Sequence, residues 1–244
     1  MTEAEWLTTD DADAMYYWVT GYQPKRVGVF PKITRRLGSL YAVACVRATP
    51  QAASQSFLIR VADEVERSAD ANDWSKVDRL CREAGQGCAD ATTAAGLDSI
   101  LHFWALAVLR LTEGTIETYA IHVPFFIAKA LEGADNLPEL HKIWANLLRD
   151  IAGNPFRGGR GREFDKRKRK PRVEPVFHPL WRTGTVLSLA RAMYDSRDFS
   201  GMPILVDALQ EAGCEDSEIL NHCRDTSHEH ARGCWVIDLI LKKS

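Results

Sequence analysis

The chain has 244 residues, with Lys+Arg 31 against Asp+Glu 33 and a formal net charge of −2. Hydrophobic residues make up 45% and charged ones 26%, which excludes a wholly disordered chain and supplies a core for one large domain or two small ones. No apolar run approaches the roughly 20 residues that cross a bilayer, and the acidic start MTEAEWLTTDDADA does not read as a signal peptide, so a cytoplasmic setting without membrane contact is expected.

Asp10 and Asp11 offer an N-cap to a helix over Ala12–Val19. Pro24 and Pro31 confine the next stretch to a loop. From about Lys32 to Arg47, Ile33, Leu37, Leu40, Tyr41, Ala44 and Cys45 share a helical face, and Ala52–Ser68 continues with Phe57, Leu58, Val61, Ala62 and Val65. Asn72 or Asp73 can cap a further helix bearing Trp74, Val77, Cys81 and Ala84. Leu97–Leu111 repeats apolar residues at intervals of three and four, the stripe of an amphipathic helix. Thr115–Leu131 is more apolar and holds Pro124, which should end or kink it. Leu137–Ile151 closes the series with Leu140, Ile143, Trp144, Leu147 and Leu148 facing inward. No segment alternates with period two over a strand's length, so the expected class is all-α.

Glycines and prolines between Gly153 and Trp181 stop the helical pattern. The expected organisation is a helical domain over 1–152, a Gly/Pro/basic linker loop over 153–181 and a smaller helical unit over 182–244. Within the last, helices are expected over Gly184–Tyr194, Met202–Ala212 and Asp216–Arg224. Pro203 suits a first turn and Gly213 the left-handed position after a helix end. Cys234–Leu241 reads as a short helix, because Lys242 and Lys243 stand where cations favour a C-terminus.

MTEAEW at 1–6, YAVACVR at 41–47, GNPFR at 153–157, YDSRDFSGMPILVDALQEAGC at 194–214, ILNHCR at 219–224 and HARGCWVIDLILKK at 230–243 resemble a bacterial family of uncharacterised proteins. Its members open MTEAEWL, carry FAxACCR early, and hold GNPFRP and HVRGCWVVDLLLGK-like text. The motifs cover roughly a quarter of this chain, and the resemblance implies no activity. Val46 stands where the family pattern has a second cysteine beside Cys45, so a vicinal pair is not carried over. The basic stretch 158–172 stands where a short Pro-containing link is expected.

Six cysteines, at 45, 81, 88, 214, 223 and 234, are expected to be reduced thiols in a cytoplasmic protein. Cys45 and Cys81 read as core residues. Cys214, His222, Cys223, His228, His230 and Cys234 put six thiol and imidazole groups close together in sequence, and such donors suit tetrahedral zinc. The set read from them is Cys214, Cys223, His230 and Cys234, although their spacing does not match common zinc modules. On a helix His222 and Cys223 diverge by about 100°, so one of them leaves such a site. An enzymatic variant makes Cys223 or Cys234 a nucleophile served by His222, His228 or His230. The bland alternative packs Cys223 and Cys234 into the core and leaves His228 and His230 in a loop.

Residues 157–172 carry Arg157, Arg160, Arg162, Lys166, Arg167, Lys168, Arg169, Lys170 and Arg172 against Glu163 and Asp165, a local charge of +7 that leaves −9 elsewhere. With Phe156 and Phe164 available for stacking, this run can contact a nucleic acid or another polyanion, weakly and without sequence preference; otherwise it is a solvated loop. Asp195, Arg197 and Asp198, beside Tyr194 and Phe199, form a polar knot that reads either as a binding site or, with Ser200 or Asp198 accepting N–H groups, as the cap of the helix starting near Met202. The seven tryptophans read as core anchors. No P-loop, GxGxxG, HExxH or GxSxG sequence occurs, and GGRG at 158–161 lacks the strand and GK[ST] that would make it a phosphate cradle. The expected function is therefore a non-enzymatic binding or scaffold module with a protein partner and an acidic or polyanionic contact at its basic loop, with no cofactor unless the Cys/His cluster holds zinc.

Overall fold

A computed structural model describes residues 1–20, 34–54, 56–77, 79–80, 122–131, 135–156 and 177–243. Its regular elements are helices, and no strand occurs among the described residues, as expected of an all-α chain. The chain divides into two units, Met1–Leu148 and Arg149–Ser244.

In the first unit, α1 (Glu3–Thr8) starts with a reciprocal cap, in which Thr2 accepts from the Glu5 N–H and Glu5 accepts from the Thr2 N–H. α2 (Ala12–Thr20) is capped by Asp11, whose Oδ1 accepts from the Ala14 N–H at 2.8 Å. α3 (Arg35–Ala48) is capped by Thr34. The single helix expected over Ala52–Ser68 is two, α4 (Pro50–Ala53) and α5 (Ser56–Ala71). Pro50 opens the first, and Ser54 ends it by donating its hydroxyl to the Gln51 carbonyl. Asp73 accepts from the Ser75 N–H at 3.0 Å, the cap expected there. Pro124 is the third residue of α6 (His122–Ala130), the described part of the helix expected over Thr115–Leu131. α7 (Leu137–Ala152) follows the predicted stripe, and its residues from Arg149 onward belong to the second unit. The loop around Pro24–Pro31, the Leu97–Leu111 helix and Cys81 lie outside the described residues.

α3 packs on α5 and α6. Tyr16 stacks on Tyr41 at 5.4 Å, next to fully buried Cys45. Trp144 donates its indole N–H to Thr49 Oγ1 at 3.3 Å, and Thr49 in turn donates to the Cys45 carbonyl. Buried Glu66 is paired by Arg47, whose Nε lies 3.1 Å from its Oε1 while Nη2 reaches Asp63 Oδ1 at 2.6 Å.

In the second unit, a 3₁₀ turn (Pro179–Trp181) precedes α8 (Gly184–Ser196), α9 (Met202–Glu211), α10 (Ser217–Arg224) and α11 (Trp235–Leu241). α8 packs on α9 and α11, and α10 on α9 and α11, around Val186, Leu205, Leu209, Ile219, Val236 and Ile237. Arg197 ends α8 in the left-handed region, Asp198 accepts from the Ser200 N–H, and Gly201 is the cap residue of α9. Gly213 takes the predicted positive φ, +83°. Arg182 ties down the last helix: Nε donates to the Ile240 carbonyl at 3.1 Å and Nη2 to that of Leu239 at 2.8 Å. These are carbonyls that a helix end leaves without internal donors. No described helix is long and apolar enough to cross a membrane.

A buried Asp–His–His–Cys cluster as candidate metal centre

Four side chains of the second unit converge. Asp150 comes from the last turn of α7, His222 from α10, His230 from the loop after α10, and Cys234 from the residue that opens α11. Asp216 starts α10 by accepting the N–H groups of Glu218 and Ile219. From that start Ile219, Leu220 and Cys223 turn into the core, while His222 sits on its flank with a side chain 19% exposed. After α10 the chain makes a tight turn in which Asp225 accepts from the Ser227 N–H and meets His228 Nδ1 at 2.9 Å. That pairing keeps His228 at the surface, while His230 turns inward.

Asp150 is the hub. Its Oδ1 lies 2.7 Å from His230 Nδ1 and 3.2 Å from His222 Nε2, and its Oδ2 accepts from the Ala231 N–H at 2.9 Å. The same His222 Nε2 lies 3.2 Å from Cys234 Sγ. One ligand atom from each of the four residues falls within 4.8 Å of all the others. The two imidazoles meet edge to face at 5.0 Å. His230 Nε2 is buried with no hydrogen-bond partner among the described residues, a state that ordinarily costs about 1–3 kcal/mol.

The electrostatics follow from these contacts. Burial by itself raises the Asp150 carboxyl, but hydrogen bonds and charge from His222 and His230 outweigh it and hold the group well below the usual carboxylate range. Burial likewise opposes a charged His230, and Asp150 reverses this, so the imidazole is raised above its ordinary value. At Cys234 the one favourable contact, a backbone hydrogen bond from Ile237, is outweighed. Full burial and the Asp150 charge push its thiol far up, so without a cation it is a neutral S–H.

The arrangement favours ligation over nucleophilic catalysis. A Cys–His–Asp relay needs the acid on the imidazole nitrogen opposite the thiol. Here a single nitrogen of His222 faces both the carboxylate and the sulfur, as in a set converging on one point. Asp150 and a Cys234 thiolate together carry two negative charges, and two neutral imidazoles complete four ligands, so a divalent ion would leave a buried site without net charge. The hydrogen-bonded separations of 2.7–3.2 Å are below the edge of about 3.4 Å expected for a zinc tetrahedron with bonds near 2.05 Å. Loading therefore requires these three pairs to part by a few tenths of an ångström, while the wider pairs, up to 4.8 Å apart, close toward the same edge.

Of the set read from sequence, His230 and Cys234 join this cluster. Cys214 and Cys223 lie instead among the apolar side chains of the second unit: the stripe of α10 turns Cys223 inward, and Cys214 is held in the loop after α9 by its N–H, which donates to the Leu209 carbonyl at 2.9 Å. Burial, then the Asp150 charge, pushes the Cys223 thiol up to about 12. No neighbouring Cys or His marks Asp150 as a ligand in the sequence, although a carboxylate three residues after Leu147 and one before Ile151, both buried, is a charge placed on an inward face. The basic residues Arg157, Arg160, Arg162, Lys166, Arg167, Lys168, Arg169, Lys170 and Arg172 lie outside the described residues. Compared with family models, curated proteins and solved structures, the chain finds no match in any of the three.

Proposed function

We propose that the second unit binds a single zinc ion through Asp150, His222, His230 and Cys234, and that the protein is a zinc-stabilised binding module. The observation that carries this reading is the convergence of a thiol, two imidazoles and a carboxylate, one atom of each within 4.8 Å of the rest. Soft sulfur and borderline nitrogen donors favour zinc over magnesium or calcium, which prefer oxygen alone. Four protein ligands fill a tetrahedron and leave no place for a reacting water, so the ion's work is structural. Zinc bound this way adds folding free energy, and binding releases the Cys234 and His230 protons.

Metal analysis of protein purified without chelators tests the reading. About one equivalent of zinc is expected by the closed-site rule, with uptake lost in Cys234→Ser and His222→Asn. Wild-type protein that neither copurifies with zinc nor takes it up in dialysis would refute it.

A second reading rests on charge segregation, +7 over residues 157–172 against −9 elsewhere. That run engages a polyanion while the remaining surface repels it. A mobility-shift titration at low salt should show weak, sequence-tolerant binding that is lost when Lys166–Lys170 are neutralised. Equal behaviour of the two proteins would reduce the run to a solvated loop.

A further inference from the structure

His222 is the most exposed of the four ligands, at 19% for its side chain against 3% for Asp150 and 7% for His230. It is therefore the one with most freedom to swing toward water. What walls it is Trp235. The indole centroid lies 5.1 Å from the imidazole centroid, with the planes inclined at 55°, and Trp235 is itself buried. Trp235 also directly follows the ligand Cys234 and opens α11.

The same indole touches the end of the helix that carries Asp150. Gly153 closes α7 with φ +66°, its N–H donating to the Arg149 carbonyl at 2.9 Å. A Cβ placed on Gly153 would stand 3.3 Å from Trp235 Cγ, tighter than ordinary van der Waals contact, and 3.5 Å from Cδ1. One ring thus meets the helix end that holds Asp150 and the imidazole of His222, while its backbone is joined to Cys234.

We infer that Trp235, seated on Gly153, is the positioning residue of the metal site, setting the separation of Asp150, His222 and Cys234 that a tetrahedral ion requires. This rests on the zinc reading above. The indole offers no ligand atom; it acts through His222 and through the closing turn of α7. Side chains that orient ligands in this way typically shift metal affinity by about 10–100-fold.

Cobalt(II) added to the metal-free full chain is the probe, because its d–d absorption is strong in tetrahedral sites and weak at higher coordination. Trp235→Phe keeps an aromatic wall and should keep the wild-type spectrum. Trp235→Leu removes that wall, and Gly153→Ala, deleting no group, presses the indole by a few tenths of an ångström and strains the positive-φ turn on which it sits. Both should weaken cobalt binding by about 10–100-fold against a chromophoric chelator and dim the d–d bands, with helical circular dichroism retained. Wild-type protein that gives no tetrahedral cobalt spectrum would overturn the zinc reading itself. A tetrahedral wild type, with folded Trp235→Leu and Gly153→Ala variants indistinguishable from it, would overturn the positioning role and leave the zinc site standing. For a variant too marginal to titrate, the rise in thermal midpoint on adding zinc decides: a rise as large as in wild type overturns the inference, a smaller one supports it.

Discussion

Glu66 in the first unit and Asp150 in the second are both buried carboxylates, yet their partners differ in kind. Glu66 faces the Arg47 guanidinium, which keeps its proton at any physiological pH and offers no lone pair. Asp150 faces two imidazoles and a thiol nearby, groups whose protons can leave and whose lone pairs then point at a shared space. Only the second arrangement can exchange its protons for a cation. Burial of charge does not mark a site; the exchangeability of what neutralises it does.

The comparison is most sharply tested at Asp150. Asp150→Ala should cost about 3–5 kcal/mol in urea unfolding of the metal-free chain, because His230 and the Ala231 N–H lose a buried acceptor. Zinc should then no longer raise the thermal midpoint. Glu66→Gln is expected to cost about 2 kcal/mol through the weakened Arg47 pair, with zinc content unchanged. Metal loss in that variant would show that the two carboxylates do not differ in kind.

Acidity tests the Asp150 pairing from another side. Asp150 is held below its ordinary value, so its contribution to metal-free stability is present above about pH 4 and fades on acidification. His230 is raised above its ordinary value, so its contribution is full below about pH 6.5 and is lost as pH climbs through the raised value. Thermal midpoints of metal-free protein should therefore peak between these limits. Zinc affinity should run the other way and grow with pH, since the ligands must shed protons. A metal-free midpoint that rises steadily through neutrality would contradict the pairing. The smallest effect is expected for Asp216→Ala, about 1 kcal/mol from the lost cap of α10, with zinc uptake retained.

The helices were legible because apolar spacing and caps are local: Asp11, Asp73 and Gly213 act where their residue types suggest. The break between α4 and α5 was less so, since Ser54 ends a helix only through a bond to Gln51 that propensity does not announce. Of the cluster, His230 and Cys234 were readable as soft ligands close in sequence. Asp150 was not, lying 80 residues before His230 and brought to it by packing alone. His222 and Cys223 diverge on one helix, and which of them faces the core depends on where α9 and α11 pack, a fact the helix itself does not contain.

Arg182 has a consequence for how the second unit opens. α11 has seven residues, fewer than the roughly 12–15 a helix needs to persist alone. Two of its last carbonyls receive their donors from a guanidinium 57 and 58 residues earlier in the chain. Helix formation and long-range closure are thus one event, and the end of α11 has no independent way to fray. Amide exchange at Leu239 and Ile240 should accordingly follow the denaturant dependence of the whole unit's unfolding, whereas Arg182→Lys, with a point charge in place of the fork, should release it into fast local exchange.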